Sequence, residues 1–355
     1  MSKVAIICDT HAGIKNGSDV FLDYTERFYQ NVFFPKCEEL GIKRVLHLGD
    51  YFDHRKFVNL KVVKRNRQMF IEEVAKRGME MDIIPGNHDV YWKNTNDLCT
   101  LTEQLSHYPF INIHMDPTIL DIDGLKIAML PWLTADNRDS SMDFIQTANA
   151  PILMGHLELA GFKYIAGTSI LSHGMDAAPL KRFEMVLSGH YHSTSNSDNI
   201  RYLGAPFELT WSDADDPKYF HILDTDTRAL SRVRNPHRLF RKLYYDDSQG
   251  NVSLPKQLKT DSNVFVKVIV KGKKDPFLFD KYMEAIQSVN PLEVKIVEVF
   301  DGGDSDIDSD ETASALDTTD LLSSYVDGFE IDLDKNRLKK QLLDLFIEAQ
   351  SVDTI

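Results

Sequence analysis

Arg44-Val45-Leu46-His47-Leu48, followed at once by Gly49-Asp50-Tyr51-Phe52-Asp53, reads as a buried strand that stops at a glycine and delivers an aspartate to the space beyond its end. A short apolar run bounded by glycine and acids has the length and composition of an interior strand rather than a helix. The arrangement recurs. Val4 to Cys8 runs into Asp9-Thr10-His11, Met81 to Ile84 leads to Gly86-Asn87-His88-Asp89, Pro151 to Met154 leads to Gly155-His156, and Met185 to Leu187 leads to Gly189-His190-Tyr191-His192. Lys126 to Leu130, Ile200 to Leu203 and Tyr219 to Leu223 read as further strands, and Phe21 to Leu40 and Leu60 to Arg77 as helices between them. Strands alternating with helices predict the α/β class, in which ligands gather at the carboxyl ends of the strands.

The 355-residue chain is 43 % hydrophobic and 26 % charged, which excludes a disordered or fibrous protein. The N-terminus meets Asp9 too early for a signal-peptide core, and no apolar run approaches a membrane span, so no membrane insertion is expected and the cytoplasm is the expected location. Three cysteines, Cys8, Cys37 and Cys99, fit reduced thiols rather than a disulfide framework. The net charge of -14 is uneven: residues 301–355 hold 15 acids against 4 bases, leaving 39 acids and 36 bases in residues 1–300. A nearly neutral body does not exclude a polyanionic substrate.

Four segments are expected: a main domain over residues 1–245, a β-α-β cap over 246–300, a disordered acidic linker over 301–334 and a terminal helix over 335–355. Twelve acids without a Lys or Arg occupy the linker, which as a flexible chain spans roughly 30 Å. The terminal helix would present Leu338, Leu342, Leu345 and Phe346 on one face. That face could dock on its own domain or in a partner's groove.

The five loop motifs supply the Asp, His and Asn side chains that a two-cation site needs. Two cations 3.5 to 4 Å apart, roughly, repel, so a carboxylate shared between them is the economical arrangement, and Asp50 is the natural bridge. Mixed imidazole, carboxylate and amide ligands favour Mn, Fe or Zn over the all-oxygen shell preferred by Mg.

Over about residues 1 to 225 these motifs resemble the calcineurin-like metallophosphoesterases. That resemblance implies a four-layer α-β-β-α sandwich and two divalent ions. Asp9, His11, Asp50 and His192 would surround the first ion, and Asp50, Asn87, His156 and His190 the second. It also implies that His88 stabilises the transition state and protonates the leaving oxygen, with Asp89 orienting its imidazole. A finer resemblance, to the SbcD-type nuclease subunits including those of T-even-type phages, extends over nearly the whole chain. It rests on Gly49 to Lys56, Pro85 to Asp89, Leu130-Pro131-Trp132, Gly155 to Leu159, Ser172-His173-Gly174 and Arg201 to Pro206. It implies manganese-dependent DNA exonuclease or endonuclease activity in recombination and repair, a homodimer within a heterotetramer, and a terminal helix bound to the coiled coil of an SMC-like ATPase. Cellular members often carry a second catalytic histidine three residues after the bridging aspartate. This chain has Asp53 there, followed by His54.

Arg55, Lys56, Lys61, Lys64, Arg65 and Arg67 fall in a stretch without acids and could contact duplex phosphates, or simply form a solvated helix face. His47, His107, His114, His221 and His237 are assigned to packing or surface. A phosphomonoesterase or protein phosphatase on the same scaffold, and a non-catalytic DNA-end scaffold, are the competing functions.

Overall fold

In a computed structural model, the structure describes residues 2–162, 174–248, 252, 263–298, 326, 335, 337–339 and 341–342. The strands in chain order are β1 (Lys3–Ile7), β2 (Arg44–His47), β3 (Glu80–Ile83), β4 (Ile111–Ile113), β5 (Thr118–Ile122), β6 (Leu125–Leu130), β7 (Ile152–His156), β8 (Met185–Gly189), β9 (Ser195–Ser197), β10 (Ile200–Tyr202), β11 (Tyr219–Asp224), β12 (Leu230–Arg234), β13 (Phe240–Asp246), β14 (Phe265–Gly272) and β15 (Glu293–Glu298). One sheet has the order β12-β11-β1-β2-β3-β4 and a second β5-β6-β7-β8-β10-β9. The pairs β1–β2, β2–β3, β3–β4, β6–β7 and β7–β8 are parallel, so the motif-bearing loops leave each sheet at one end.

The sheets face one another across Val4, Ile6, Leu46, Leu48, Ile127, Met129, Met154 and Leu187, all buried. Each strand run is apolar on both faces because a second layer covers the other side. The outer face of the second sheet is covered through Ile145 of the helix Arg138–Thr147. On the first sheet the outer layer is aromatic: Phe28, Phe33 and Phe220 lie with ring centres 5.0 to 6.2 Å apart. This is the expected four-layer α-β-β-α order. Helical segments run from Asp19 to Glu39 and from Leu60 to Lys76, as periodicity predicts, but each contains one widened π-turn, at Tyr29–Phe33 and Arg67–Ile71. Pro35, which lacks an amide donor, follows the first of these turns. Tyr29 and Phe70 bring the two widened turns together with ring centres 4.7 Å apart.

The chain divides into two compact units. The second contains a three-stranded sheet, β13-β14-β15, and the helix Pro276–Gln287, capped by the Asp275 side chain. Tyr245 packs against Phe279 and Tyr282, and its hydroxyl donates to Asp247. Its first strand begins at Phe240, upstream of the boundary expected at 245/246. The acidic stretch 301–325, the helix positions Leu345 and Phe346, and His173 lie outside the described residues. No helix among the described residues is long and apolar enough to cross a membrane.

His221, on β11, is 2 % exposed, and burial together with Arg232 and Arg201 pushes its pKa down to about 3. The folded protein therefore holds a neutral imidazole that the unfolded chain protonates below about pH 6.5, so stability is intact above that value and erodes as pH falls beneath it. Between about pH 7.5 and about pH 5.5, urea denaturation should find wild type losing about 1.4 kcal/mol more than His221→Gln. An equal loss in both proteins would contradict this account of His221.

Candidate metal centre

The loops after β1, β2, β3, β7 and β8 converge through backbone bonds as much as through side chains. Asp9 N–H donates to the Gly49 carbonyl at 3.0 Å, His11 N–H to the Asp50 carbonyl at 3.0 Å and Ala12 N–H to that of Tyr51 at 2.8 Å, zipping the first two loops together. His190 N–H donates to the Asp9 carboxylate at 2.9 Å, tying the β8 loop to the first. Asp9, His11, Asp50 and His190 all have positive φ, at 52°, 41°, 54° and 90°. Non-glycine residues take that region at a cost, typically where surrounding contacts over-determine the backbone at a working site. Gly86 leaves no room beside Asp50: a Cβ there would lie 2.3 Å from the Asp50 nitrogen.

All seven expected ligands meet in this pocket. Asp9, His11 and His192 offer ligand atoms within 4.8 Å of one another, and Asp50, His156 and His190 do the same. The Asp50 Oδ2 atom stands 3.7 Å from His11 Nε2 and 3.3 Å from His156 Nε2, between the two groups. The Asn87 Oδ1 atom is 3.0 Å from both His156 Nε2 and His190 Nδ1, and the Nε2 atoms of His11 and His192 are 3.1 Å apart. Lone pairs so crowded need a common acceptor, and ligands about 2.1 Å from one ion stand about 3.0 Å apart along an octahedral edge. The donor set thus fits a divalent cation in each group. His156 Nδ1–H donates to the Leu48 carbonyl at 2.7 Å, which leaves Nε2 as its ligand atom.

The electrostatics agree. Burial works against charge on both His11 and His156, yet Asp53, Asp50 and Asp9 push the first up to about 9, and Asp50 and Asp9 do the same for the second. Burial raises Asp9 and also opposes the charge on Asp50, but His156, His88 and His11 hold Asp50 well below the usual carboxylate range. His192 is pushed down to about 3 by burial and by His11, so it stands neutral.

His88 lies on the rim of this group, its ring 4.8 Å from that of His11. Its Nδ1–H donates to the Asp53 carbonyl at 2.6 Å, and burial lowers its pKa. The expectation that Asp89 orients this imidazole is corrected. The Asp89 carboxylate accepts from the amides of Tyr51 (3.1 Å), Phe52 (3.0 Å) and Gly86 (2.9 Å), bracing the β2 and β3 loops against each other. Burial and Asp50 push Asp89 up to about 7. The Asp53 carboxylate stands 3.3 Å from His11 Nδ1 and 3.6 Å from His54 Nε2.

Of the basic stretch, Lys61 pairs with Asp19, Arg65 with Asp23 and Glu26, and Arg67 with Glu72, while Lys56 and Lys64 are exposed. Arg55 is half-buried with its Nη2 atom 3.2 Å from the Asn87 amide. Leu338 and Leu342 are helical and half-buried.

Two further residues border the site: Trp132, whose motif the sequence reading quoted without a site role, and Lys218, which it missed. Trp132 packs its ring 5.3 Å from His190 and 5.9 Å from His156. Lys218, 4 % exposed, donates to the His192 carbonyl at 2.9 Å and to Asp213 and Asp216 at 2.5 and 2.9 Å, holding the turn that carries His192. A lone lysine in the acidic stretch Asp213 to Lys218 was the available signal.

These strand-end His and Asp clusters could hold divalent metals, and the chain belongs to the calcineurin-like phosphoesterase family, whose sequence model matches residues 2–194. Members of this family are phosphoester hydrolases that use divalent metals. The chain is 30 % identical over 352 residues, 98 % of its own length and 99 % of the relative's, to Exonuclease subunit 1 of Enterobacteria phage T4. Among solved structures, an archaeal phosphodiesterase aligns with 66 % of this chain and 99 % of its own at 17 % identity and a TM-score of 0.34. A purple acid phosphatase from yellow lupin (Lupinus luteus) seeds aligns with 62 % of this chain and 49 % of its own, at 14 % identity and a TM-score of 0.41.

Two substitutions separate bracing from ligation. Gly86→Ala must displace Asp50 and should lower manganese stoichiometry while far-UV circular dichroism stays native. Asp89→Ala frees three buried amides and should cost about 3 kcal/mol in denaturant unfolding. A loss under about 1 kcal/mol would show that Asp89 does not brace these loops.

Proposed function

We propose that the protein is a DNA nuclease subunit that hydrolyses phosphodiesters at double-stranded ends with two divalent cations, manganese foremost, and works with an SMC-like coiled-coil ATPase in the cytoplasm of a phage-infected cell. The observation that carries the reading is the pair of ligand groups sharing Asp50, joined to full-length similarity with a phage exonuclease subunit. Asp9, His11, Asp50 and His192 would hold one ion, and Asp50, Asn87, His156 and His190 the other. When bound, such a pair neutralises charge on the phosphoryl group and acidifies an attacking water.

The protein's own groups do the rest. With His88 Nδ1–H committed to the Asp53 carbonyl, Nε2 is the atom at which this imidazole exchanges a proton, and from it the departing sugar oxygen is protonated. Asp89 acts at one remove, by holding the loops that carry Asp50 and His88. The Trp132 ring forms the wall beside His156 and His190. Arg55, Lys56 and Lys64 are the stretch's cations outside the helix-face ion pairs, and they would meet the duplex backbone first. Lys61, Arg65 and Arg67 would join by exchanging weak surface partners for phosphates.

The assembly reading has support at the surface. Phe57 and Leu60, 58 % and 84 % exposed at the start of the helix Leu60–Asn66, would offer an apolar edge to a homodimer. The terminal helix, through Leu338, Leu342, Leu345 and Phe346, would engage the ATPase coiled coil.

Incubation with manganese and end-labelled duplex, with and without chelator, tests the activity. Metal-dependent release of nucleotides is expected, and release of phosphate from monoesters alone would overturn the nuclease reading. His88→Gln should retain manganese and lose roughly a hundredfold or more in turnover. Undiminished cleavage in that variant would remove His88 from the mechanism.

A further inference from the structure

The Asn87 side chain carries an asymmetry that the metal reading turns into a second binding feature. Its oxygen can face His156 and His190 at 3.0 Å, or the amide can turn over and put the nitrogen there and the oxygen 3.2 Å from Arg55 Nη2. Without a cation the second orientation lets the two amide N–H groups donate to His190 Nδ1 at 3.0 Å and Asp50 Oδ2 at 3.3 Å while the oxygen accepts from Arg55. An amide binds a cation through oxygen alone, so loading the site selects the first orientation. In that state the Asn87 NH2 and the Arg55 guanidinium stand side by side at 3.2 Å, two donors with no acceptor between them. Paired donors at the edge of a cationic centre ask for an oxyanion.

Arg55 also differs from the rest of its basic stretch. Lys61, Arg65 and Arg67 are each tied to carboxylates on the protein surface, whereas Arg55 forms no ion pair among the described residues and is half-buried at the site. A guanidinium held this way is a planar fork matched to phosphoryl oxygens, which an ammonium cannot replicate.

We propose that Arg55, with the Asn87 amide nitrogen, forms an oxyanion clamp that receives a non-bridging oxygen of the scissile phosphoryl group. The clamp rests on the phosphoester reading of the metal centre and names the residue that orients the substrate within it. Arg55 neither ligates a cation nor moves a proton. It fixes which face of the phosphorus is turned toward the attacking water, and the clamp forms only when Asn87 has committed its oxygen to the metal.

The test compares full-length wild type with Arg55→Met and Arg55→Lys. Three quantities are measured: manganese stoichiometry by atomic absorption, affinity of the manganese-loaded protein for inorganic phosphate by calorimetry, and hydrolysis of duplex DNA and of bis(4-nitrophenyl) phosphate. Arg55→Met should keep its manganese, bind phosphate at least about tenfold more weakly and lose at least as much in kcat/KM on both diesters, with Arg55→Lys recovering part of each. Phosphate affinity within about twofold of wild type at unchanged manganese would overturn the clamp, because a lost charged hydrogen bond is worth more than that. Loss of manganese from both variants would also overturn it by assigning Arg55 to the support of the metal site. Wild type that takes up manganese yet neither binds phosphate nor cleaves either diester would fail the phosphoester reading itself, before any variant is compared.

Discussion

Asp50 concentrates the problem that the rest of this structure solves. Its carboxylate is 2 % exposed, lies between His11 and His156, and has Asp9 and Asp89 buried close by. At 4 Å two like charges repel by about 4 kcal/mol even in a medium of intermediate dielectric, so three buried acids cannot share a pocket unopposed. The raised pKa values of Asp9 and Asp89 and the raised values of His11 and His156 are two views of one shortage of positive charge. Divalent cations bound among these groups would relieve it from the centre outward. The donor set therefore belongs to the electrostatic balance of the fold as well as to its chemistry.

Holding those groups in place requires backbone conformations that the chain would not choose. Four ligand-bearing residues sit at positive φ, each at a cost of about 1 to 2 kcal/mol. The compensation is visible in the loop-to-loop hydrogen bonds from Asp9, His11 and Ala12, in the three amides gathered by Asp89, and in the close approach of Gly86 to Asp50. These contacts join loops separated by about forty residues, so no single motif could hold its own ligand in position. The parallel strands beneath supply the common edge from which the loops depart.

How far the sequence reveals this depends on how local each feature is. The strands that feed the site are apolar runs, most of them ended by glycine, and the side chains after them are chemically distinctive, so the fold and the clustering of these side chains are legible. The short strands β4, β5, β9 and β12 escaped because they are polar or edge segments, although Asp123-Gly124, both at positive φ, mark the β5–β6 hairpin turn. The resemblance pairs Asp89 with His88, whereas Asp89 accepts from the amides of Tyr51, Phe52 and Gly86 and the partner of His88 is a carbonyl. Main-chain partners have no signature in a side-chain alphabet. The ion pairs of Arg65 were equally hidden, since Asp23 and Glu26 lie about forty residues upstream.

Charge distribution adds a constraint on the order of events. Residues 1–300 carry slightly more acids than bases, and the pocket itself is lined by Asp9, Asp50 and Asp53 with Arg55 as a neighbouring cation. Without cations the His11 and His156 imidazoles, both pushed up to about 9, offset part of this acidic charge. Metal loading would displace those protons, and in the proposed clamp it is also what turns the Asn87 nitrogen outward toward Arg55. In the proposed clamp, phosphoryl recognition is thereby conditional on metal loading through the orientation of a single amide. An empty site of this design would lack the paired donors that the loaded site would offer to a phosphoryl oxygen.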